Sequence, residues 1–516
     1  MVQYLDNQSG FNQWAKMNQN KKPSKFSGFL WWGLLFLFAW WIMGVWFKPQ
    51  NTEIKEVAPI VIEQSNAKIR NIAKDKVSFD VQGLRIFKVL LNDHKQDASS
   101  DKNVALLNEE NNFVEIGYVS SDVSVPNINT HWEMKSGEMH WDNPSVHFTR
   151  KISVNGYVIN VTDIIKNKKN QEINVAPYVQ MTQNANNQSS AAVETGGVVY
   201  ANSNLDYINW NKLNKKSFAY SSVDASFGFA EQYWETIIST EAKDQTISLK
   251  KSGDLYFAQA NAAPIKIAPK SESEINTYVF AGPRQSDVLN AASHNIPGIS
   301  KTMDYGWFWF FAQPMLWMIN WLYALVGNYG IAIILMTLIL RLFIWPLTRK
   351  SYVSTMAMQR MQPELQRVQK LYANDKARLQ MEMMKVYQTH KTSPMSGCLP
   401  MLIQIPIFFA LYKALLISVP MRSAHFLWIS DLAAMDPYFI LPILMGLTMW
   451  LQQYLQTPKQ TQNKNDITAS TQRAMKWMPV FFTVMFAWMP AGLVLYWTIS
   501  NVFGIAQMYI IKKTIK

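Results

Sequence analysis

This chain of 516 residues has one cysteine and no acidic residue inside any of its six apolar stretches. The lone Cys398 excludes a disulfide within the chain. The missing acids argue against the carboxylate relays that many transporters use. Arg341 nevertheless lies within the second apolar stretch, where an arginine near mid-helix costs roughly 2.5–3.5 kcal/mol on insertion scales. Without a carboxylate beside it, Arg341 needs water, a backbone carbonyl or a visiting partner.

The apolar stretches predict six membrane spans, most of them near the ~20 residues that cross a bilayer. They are residues 29–47, 329–347, 398–418, 438–453, 477–489 and 492–511. Residues 48–328 carry 26 Lys and Arg against 29 Asp and Glu, while the rest carries 23 against 7. The positive-inside rule therefore places both termini in the cytoplasm and the long segment outside. The first stretch lacks a small-residue cleavage site, which favours an uncleaved signal anchor.

Between the first two spans the pattern has period two, as in Val77-Ser-Phe-Asp-Val81, in residues 152–161 and in residues 173–180. Short alternating runs separated by Asn, Gly and Ser predict a large antiparallel β-sandwich, and residues 183–190 are predicted to form a loop. His131, His140 and His147 are neighbours only in sequence, so we expect no metal site. No phosphate loop or nucleophile motif was found, which favours a binding or spacer module over an enzyme.

Two segments outside the spans have marked composition. The aromatic run within residues 299–328 predicts an interfacial amphipathic helix; a seventh span would break the charge topology. Residues 349–391 hold nine basic and three acidic residues and predict a cytoplasmic hairpin of two helices, each roughly twenty residues long. Its candidate contact residues are Arg360, Arg367, Lys370, Met356, Met361 and Met383. Flexible Met side chains suit irregular apolar partners, but they could equally pack the two arms together.

Polar side chains within the spans form the candidate substrate site. Thr337 and Arg341 are four residues apart and share a helix face. The other candidates are Gln404, Thr483, Tyr496, Trp497, Ser500 and Asn501. Individually, such groups are ordinary helix–helix hydrogen-bonding partners, and Arg341 could simply extend to the headgroups. Collectively they could surround Arg341 with a polar surface.

Several ordered motifs from Tyr305 to the C-terminus resemble the YidC/Oxa/Albino family of membrane protein insertases. They include Ser393-Pro-Met-Ser-Gly-Cys-Leu-Pro400, Gln404-Ile-Pro-Ile-Phe408 and Gly492-Leu-Val-Leu-Tyr-Trp-Thr-Ile-Ser-Asn501. The resemblance implies a five-helix core around a hydrophilic groove that contains Arg341, with a β-supersandwich outside. Trp497 stands where the family commonly has a second Tyr. Lys413 stands where an uncharged residue is usual, and we expect it to extend toward the membrane surface.

The expected architecture is a polytopic α-helical membrane protein with a periplasmic antiparallel β-sandwich. In chain order the predicted segments are a cytoplasmic tail (1–28), a signal anchor (29–47), the sandwich with linkers (48–298), the interfacial helix (299–328), the core (329–512) and a basic tail (513–516). The resemblance implies an insertase and chaperone of the bacterial inner membrane that uses no cofactor, metal or small-molecule substrate. Its implied partners are nascent membrane proteins, the Sec translocon and anionic lipids, and the hairpin also suits a ribosome or targeting factor. Two alternatives are a secondary transporter and a purely structural assembly factor.

Overall fold

The computed structural model describes residues 65–96, 100–107, 111–184, 193, 195–390, 399–456 and 467–514. The predicted tail and signal anchor and Cys398 lie outside this part. The chain divides into two compact units. One unit comprises Ile54–Gln460 with Trp477–Lys516 and contains both sheets. Of the other unit, Met1–Glu53 with Thr461–Lys476, only residues 467–476 are described, as helix.

The described residues before the helical region form two large antiparallel sheets. The strands are β1 Ile69–Ala73, β2 Val77–Gln82, β3 Arg85–Lys95, β4 Asn103–Leu106, β5 Phe113–Val119, β6 Glu133–Lys135, β7 Glu138–Asp142, β8 Val146–Asn155, β9 Val158–Asn167, β10 Ile173–Asn184, β11 Gly196–Ala201, β12 Asn204–Asn209, β13 Phe218–Ser222, β14 Ala225–Ala230, β15 Trp234–Thr240, β16 Gln245–Ser252, β17 Leu255–Asn261, β18 Ile265–Ile267 and β19 Glu272–Pro283. The ten-stranded sheet has the order β1-β2-β3-β5-β10-β17-β16-β13, with β4 beside β3 and β18 beside β10. The nine-stranded sheet has the order β12-β11-β14-β15-β19-β9-β8-β7-β6.

The core lies where the inward-facing residues of both sheets meet. Phe79 of the first sheet and Ile159, Phe227 and Val279 of the second are fully buried members of one apolar cluster. Period-two alternation places successive side chains on opposite faces, so one face of each strand can enter this core. The predicted antiparallel sandwich is therefore confirmed.

Individual strand predictions can now be located. The run from Val77 is β2, and the run from Ile173 is β10. Residues 152–161 form the hairpin between β8 and β9, which turns at Gly156 with φ of +59°. A positive φ suits glycine because it has no Cβ. The loop predicted over residues 183–190 begins two residues later than expected because β10 continues to Asn184; the remainder lies outside the described residues.

Ten α-helices occupy the described residues. They are α1 Trp210–Leu213, α2 Ser286–Ala292, α3 Trp309–Val326, α4 Tyr329–Phe343, α5 Trp345–Leu371, α6 Lys376–Thr389, α7 Leu399–Ile417, α8 Ile440–Gln456, α9 Ile467–Phe486 and α10 Ala491–Thr514. A short 3₁₀ turn, Ile299–Thr302, precedes α3. The predicted hairpin, residues 349–391, is formed by α5, a helix of 27 residues that begins earlier at Trp345, and by α6, which has 14 residues. The two arms therefore differ in length, whereas two arms of similar length were expected.

The second predicted span is interrupted. Helices α4 and α5 meet at Ile344 with a bend of 64°. Pro346 lies in the first turn of α5, where the missing N–H costs little because that turn has no intrahelical acceptor for it. Among the described helices, α10 alone has the length and apolar composition to cross a membrane, and the bent α4–α5 pair could supply a second crossing. The apolar parts of α7, α8 and α9 are shorter than 18 residues, so the count of six spans stays a prediction.

Helix α10 is central to the helical region. It packs against α4, α5, α7 and α8, and its residues from Ala491 to Tyr496 are buried without exception. Gly492 allows this close packing of α10. A Cβ added at this position would lie only 3.2 Å from Ile333 and from the Leu432 carbonyl oxygen. On the loop before α8, the buried Asp436 accepts hydrogen bonds from Trp428 and from the Tyr438 and Leu441 amides. A carboxylate held by several N–H donors fixes the start of α8.

The sandwich contacts the helical region directly. Arg422, after α7, donates to the Lys95 carbonyl oxygen at 3.0 Å, and its guanidinium lies 5.7 Å from the Trp234 ring. Gln232 donates to the Leu416 carbonyl oxygen at 3.0 Å. These bonds use backbone oxygens at the end of α7 and in β3, so they link fixed parts of the two regions.

The linker before α3 is held from both sides. On the sandwich side, the Thr302 hydroxyl donates to buried Glu235 at 2.9 Å, and Arg284 lies 3.4 Å from the other carboxylate oxygen. Burial raises the pKa of Glu235 to about 7, although Arg284 and Thr302 oppose the shift. On the helical side, Asp304 forms an ion pair with Lys413 of α7. Lys413 therefore pairs with a carboxylate, which differs from the expected extension to the membrane surface.

Candidate functional site

Arg341 lies in the last turn of α4, two residues before the helix ends. Its Nε donates to the Ser500 hydroxyl oxygen of α10 at 2.6 Å, and Nη2 contacts the same oxygen. The charged side chain is thus anchored by one neutral hydroxyl. A guanidinium has five N–H donors, so this single acceptor leaves donor capacity for water or a substrate.

A second pair continues the polar contacts along α10. The Gln404 side chain of α7 donates to the Tyr496 hydroxyl oxygen at 2.7 Å. Tyr496 lies one helical turn before Ser500, so the two residues share a face of α10. Both α10 residues are at most 3% exposed. The structure therefore places four predicted residues in two hydrogen-bonded pairs, Arg341–Ser500 and Gln404–Tyr496, on one face of α10.

The other four predicted residues make different contacts. Thr337 and Thr483 donate to carbonyl oxygens of their own helices, at 2.6 Å and 2.8 Å. Asn501 faces α8 and lies 3.3 Å from Thr448. Trp497 packs in an aromatic cluster, with its ring centroid 5.1 Å from that of Phe486. For these residues the ordinary helix-packing interpretation fits the contacts observed.

Thr483 shows why the packing is specific. A Cβ added to Gly446 of α8 would lie only 1.9 Å from the Thr483 hydroxyl oxygen. Only glycine lets these two helices approach this closely, as small residues do at membrane helix interfaces. Thr483 is thereby placed at the α8–α9 contact.

The sequence interpretation missed a second polar layer farther along α10. Buried Gln507 lies 3.4 Å from the Thr348 hydroxyl, and Gln452 of α8 lies 3.4 Å from the Tyr352 hydroxyl. Gln507 follows Ser500 by seven residues, so it continues the same helix face. That spacing was the signal in the sequence that could have identified Gln507.

The hairpin residues divide between packing and exposure. Met361 is buried, while Met356 and Met383 are partly buried. The three candidate basic residues, Arg360, Arg367 and Lys370, are exposed. At least one of the methionines therefore serves packing, and the basic side chains are free to meet a partner in solution or at a membrane surface.

The site has the composition of a solvating surface. Its groups are hydrogen-bond donors and acceptors and one permanent cation, which can replace water around a polar segment. Within the described residues, no group of three or more His, Cys, Asp and Glu is arranged to hold a metal ion.

Comparisons with known proteins identify the family of the chain. The family model described as "60Kd inner membrane protein" matches residues 321–516, and the model described as "YidC periplasmic domain" matches residues 71–318. The membrane protein insertase YidC of Rickettsia bellii is 32% identical over 522 residues, covering 90% of this chain and 91% of the relative. That of Methylobacillus flagellatus is 32% identical over 464 residues, covering 85% and 82%. A crystal structure of an active YidC insertase covers 86% of this chain and 94% of its own, at 19% identity and a TM-score of 0.39. The family models and the two relatives show that the chain belongs to the YidC family of membrane protein insertases.

Proposed function

We propose that this protein inserts membrane proteins into the bacterial inner membrane and assists their folding and assembly. The observation that carries the proposal is the two hydrogen-bonded pairs along α10, Arg341–Ser500 and Gln404–Tyr496, because they hold a cation and polar groups among apolar helices. Both termini are cytoplasmic and the sandwich is periplasmic in this proposal. The charge distribution supports this topology. Residues 48–328 have 26 basic and 29 acidic residues, a net charge of −3, so the net charge of +13 comes from the rest of the chain.

Arg341 is the central group of the proposed groove. A polar segment entering the bilayer loses its hydration, and each unsatisfied backbone group costs several kcal/mol there. Arg341, Ser500, Tyr496 and Gln404 replace part of that hydration. The apolar helix of the substrate then passes into lipid, and its burial makes insertion favourable without ATP or a cofactor.

The cation gives the groove a preference for substrates. A translocated tail that carries Asp or Glu is attracted to Arg341. A few side chains cannot solvate a long, highly charged substrate tail. For such substrates the protein would therefore act together with the Sec translocon. Thr337 lies one turn before Arg341 on α4 but is fully buried, so it supports the helix packing beside Arg341 rather than the substrate path.

The hairpin supplies the first contact in this proposal. Its exposed basic residues and the net charge of +6 over residues 349–391, nine basic against three acidic, suit ribosomal RNA, a targeting factor or anionic lipid headgroups. Met383, which is partly buried, lies on the shorter arm and adds a flexible apolar contact. In the alternative interpretation these charges only fix topology.

The decisive experiment is reconstitution of the purified protein alone in liposomes. A short phage-coat-like substrate with an acidic external tail is added without ATP or Sec, and protease protection reports insertion. We expect protection well above that in empty liposomes of the same lipid composition. Protection that required added Sec translocon would instead support the passive assembly factor, and a solute gradient accumulated by the protein would support the transporter.

A further inference from the structure

Two histidines at one edge of the nine-stranded sheet lie much closer than the sequence analysis expected. Strands β7 and β8 pair so that His140 faces Thr149 and Asp142 faces His147. The two imidazole rings have centroids 5.5 Å apart, and His140 Nδ1 lies 3.4 Å from His147 Nε2. The prediction that these residues are neighbours only in sequence is therefore wrong for this pair. Strand pairing, which sequence spacing does not reveal, brings them together.

Each ring directs its other nitrogen toward a carboxylate. His147 Nδ1 lies 2.8 Å from Asp142 Oδ1, and His140 Nε2 lies 3.8 Å from Glu138 Oε2. The Asp142 carboxylate holds the proton of His147 on Nδ1, so His147 Nε2 carries a lone pair that faces His140 Nδ1. Glu138 is placed to hold the His140 proton on Nε2 when a cation occupies the space between the rings. That cation would replace the proton that otherwise lies between the two facing nitrogens.

The spacing of these atoms fits a transition-metal ion. The Thr149 hydroxyl oxygen lies 3.2 Å from His140 Nδ1 and 3.2 Å from His147 Nε2. With the 3.4 Å between the nitrogens, the three atoms form a nearly equilateral triangle. Around a tetrahedral zinc ion with bonds of about 2.0–2.1 Å, neighbouring ligand atoms are about 3.3–3.4 Å apart. The triangle thus has the size of one face of such a tetrahedron.

We propose that His140, His147 and Thr149 form a site for a divalent ion that prefers imidazole, Zn²⁺ or Cu²⁺, with water in the remaining positions. Mg²⁺ and Ca²⁺ are excluded as occupants because they select oxygen ligands. The orienting role of Asp142 and Glu138 matches the carboxylates that typically stand behind metal-binding histidines.

The surroundings set the affinity. Asp142 also pairs with Lys168, and Glu138 lies 2.9 Å from Lys151, so the two carboxylates are balanced by two lysines. Lys166 and Glu272, which pair at 2.7 Å nearby, add no net charge. A formally neutral site with two nitrogen ligands and one hydroxyl binds more weakly than a structural zinc site with four protein ligands. The ion would join β7 to β8 next to the edge strand β6.

The test uses the full chain, purified without a polyhistidine tag and stripped with EDTA. Zn²⁺ binding is measured by calorimetry, and Cu²⁺ coordination by electron paramagnetic resonance. We expect one ion per chain and hyperfine coupling to two imidazole nitrogens. His140→Gln or His147→Gln should weaken binding about tenfold or more, and Asp142→Asn should weaken it about tenfold through the ring it orients. The control is His131→Gln, whose ring bonds the Asn129 carbonyl oxygen away from the pair and whose loss should change nothing.

Two outcomes overturn the proposal: no stoichiometric binding by the unaltered chain, or equal binding by the double variant His140→Gln/His147→Gln. A second measurement needs no variant and so does not depend on variant folding. Zn²⁺ should protect His140 and His147 of the unaltered protein from diethyl pyrocarbonate, as read by mass spectrometry, while His131 stays reactive. Equal modification of all three with and without Zn²⁺ contradicts the site.

Discussion

Replacing Arg341 with alanine should selectively impair insertion of substrates with acidic tails. At 4 Å and an effective dielectric constant of 20, two opposite charges attract by about 4 kcal/mol before desolvation is subtracted. After desolvation, the net free-energy contribution of a hydrogen bond to a charged group is about 1.5–3 kcal/mol. Because 1–3 kcal/mol corresponds to about 5–150-fold, insertion of an acidic-tailed substrate should fall by roughly that factor. Neutralising the tail should remove most of the difference.

Two companion variants separate charge from geometry. Arg341→Lys keeps the charge and should retain most of the activity, although it loses the planar donor set that reaches Ser500. Ser500→Ala removes the side-chain hydrogen-bond partner that Arg341 has among the described residues. A typical hydrogen bond between membrane helices contributes about 0.6 kcal/mol, so this variant should lose only about threefold.

The assay is protease protection in proteoliposomes that contain equal amounts of each variant, with acidic-tailed and neutral-tailed forms of one substrate. The interaction between the Arg341 and tail substitutions is read as a double-mutant cycle. Equal activity of Arg341→Ala on both substrates would refute a role for the charge. Arg341 would then merely extend toward the headgroups.

Three other predictions address the remaining regions. Deleting most of residues 56–270 while keeping 299–326 should leave insertion largely intact, since the two polar pairs at α10 lie elsewhere; loss of insertion by a well-expressed, correctly oriented deletion would contradict this. Neutralising the hairpin should reduce ribosome or targeting-factor association and its salt sensitivity, with topology checked by cysteine accessibility; unchanged binding and insertion would leave the charges a purely topological role. The substitutions to Gln are at Arg360, Arg367, Lys370 and Lys376. Burial lowers the pKa of His94, so its unfolded state binds more protons near and below pH 6.5, and stability should fall as pH drops through that value. Asp93 opposes this shift, while Lys76 and Arg422 reinforce it; thermal melts of His94→Gln should be less pH-dependent, and an unchanged slope would refute the assignment.

The fold class could be read from the sequence because its signals are local. Alternation in runs such as Val77–Gln82 reports which side chains face a core, and this holds whichever strands later pair. Motifs around Gln404 and Ser500 were enough to suggest the family. Helix periodicity also placed Tyr496 and Ser500 on one face of α10. The α4–α5 bend was not predicted, because Pro346 permits a helix start without requiring a break at Ile344.

The tertiary structure decided which of the polar residues meet. Arg341 and Ser500 are 159 positions apart, and only the packing of α4 against α10 brings them into contact. Other helix contacts place Trp497 of α10 in an aromatic cluster with Phe486 of α9, and Thr483 of α9 against Gly446 of α8. Lys413 forms its ion pair with Asp304 because the linker before α3 passes next to α7. The periodicity of a sequence determines which residues share a face of one helix or strand. It holds no information on which faces of different elements pack together, and that packing decides the contacts between elements.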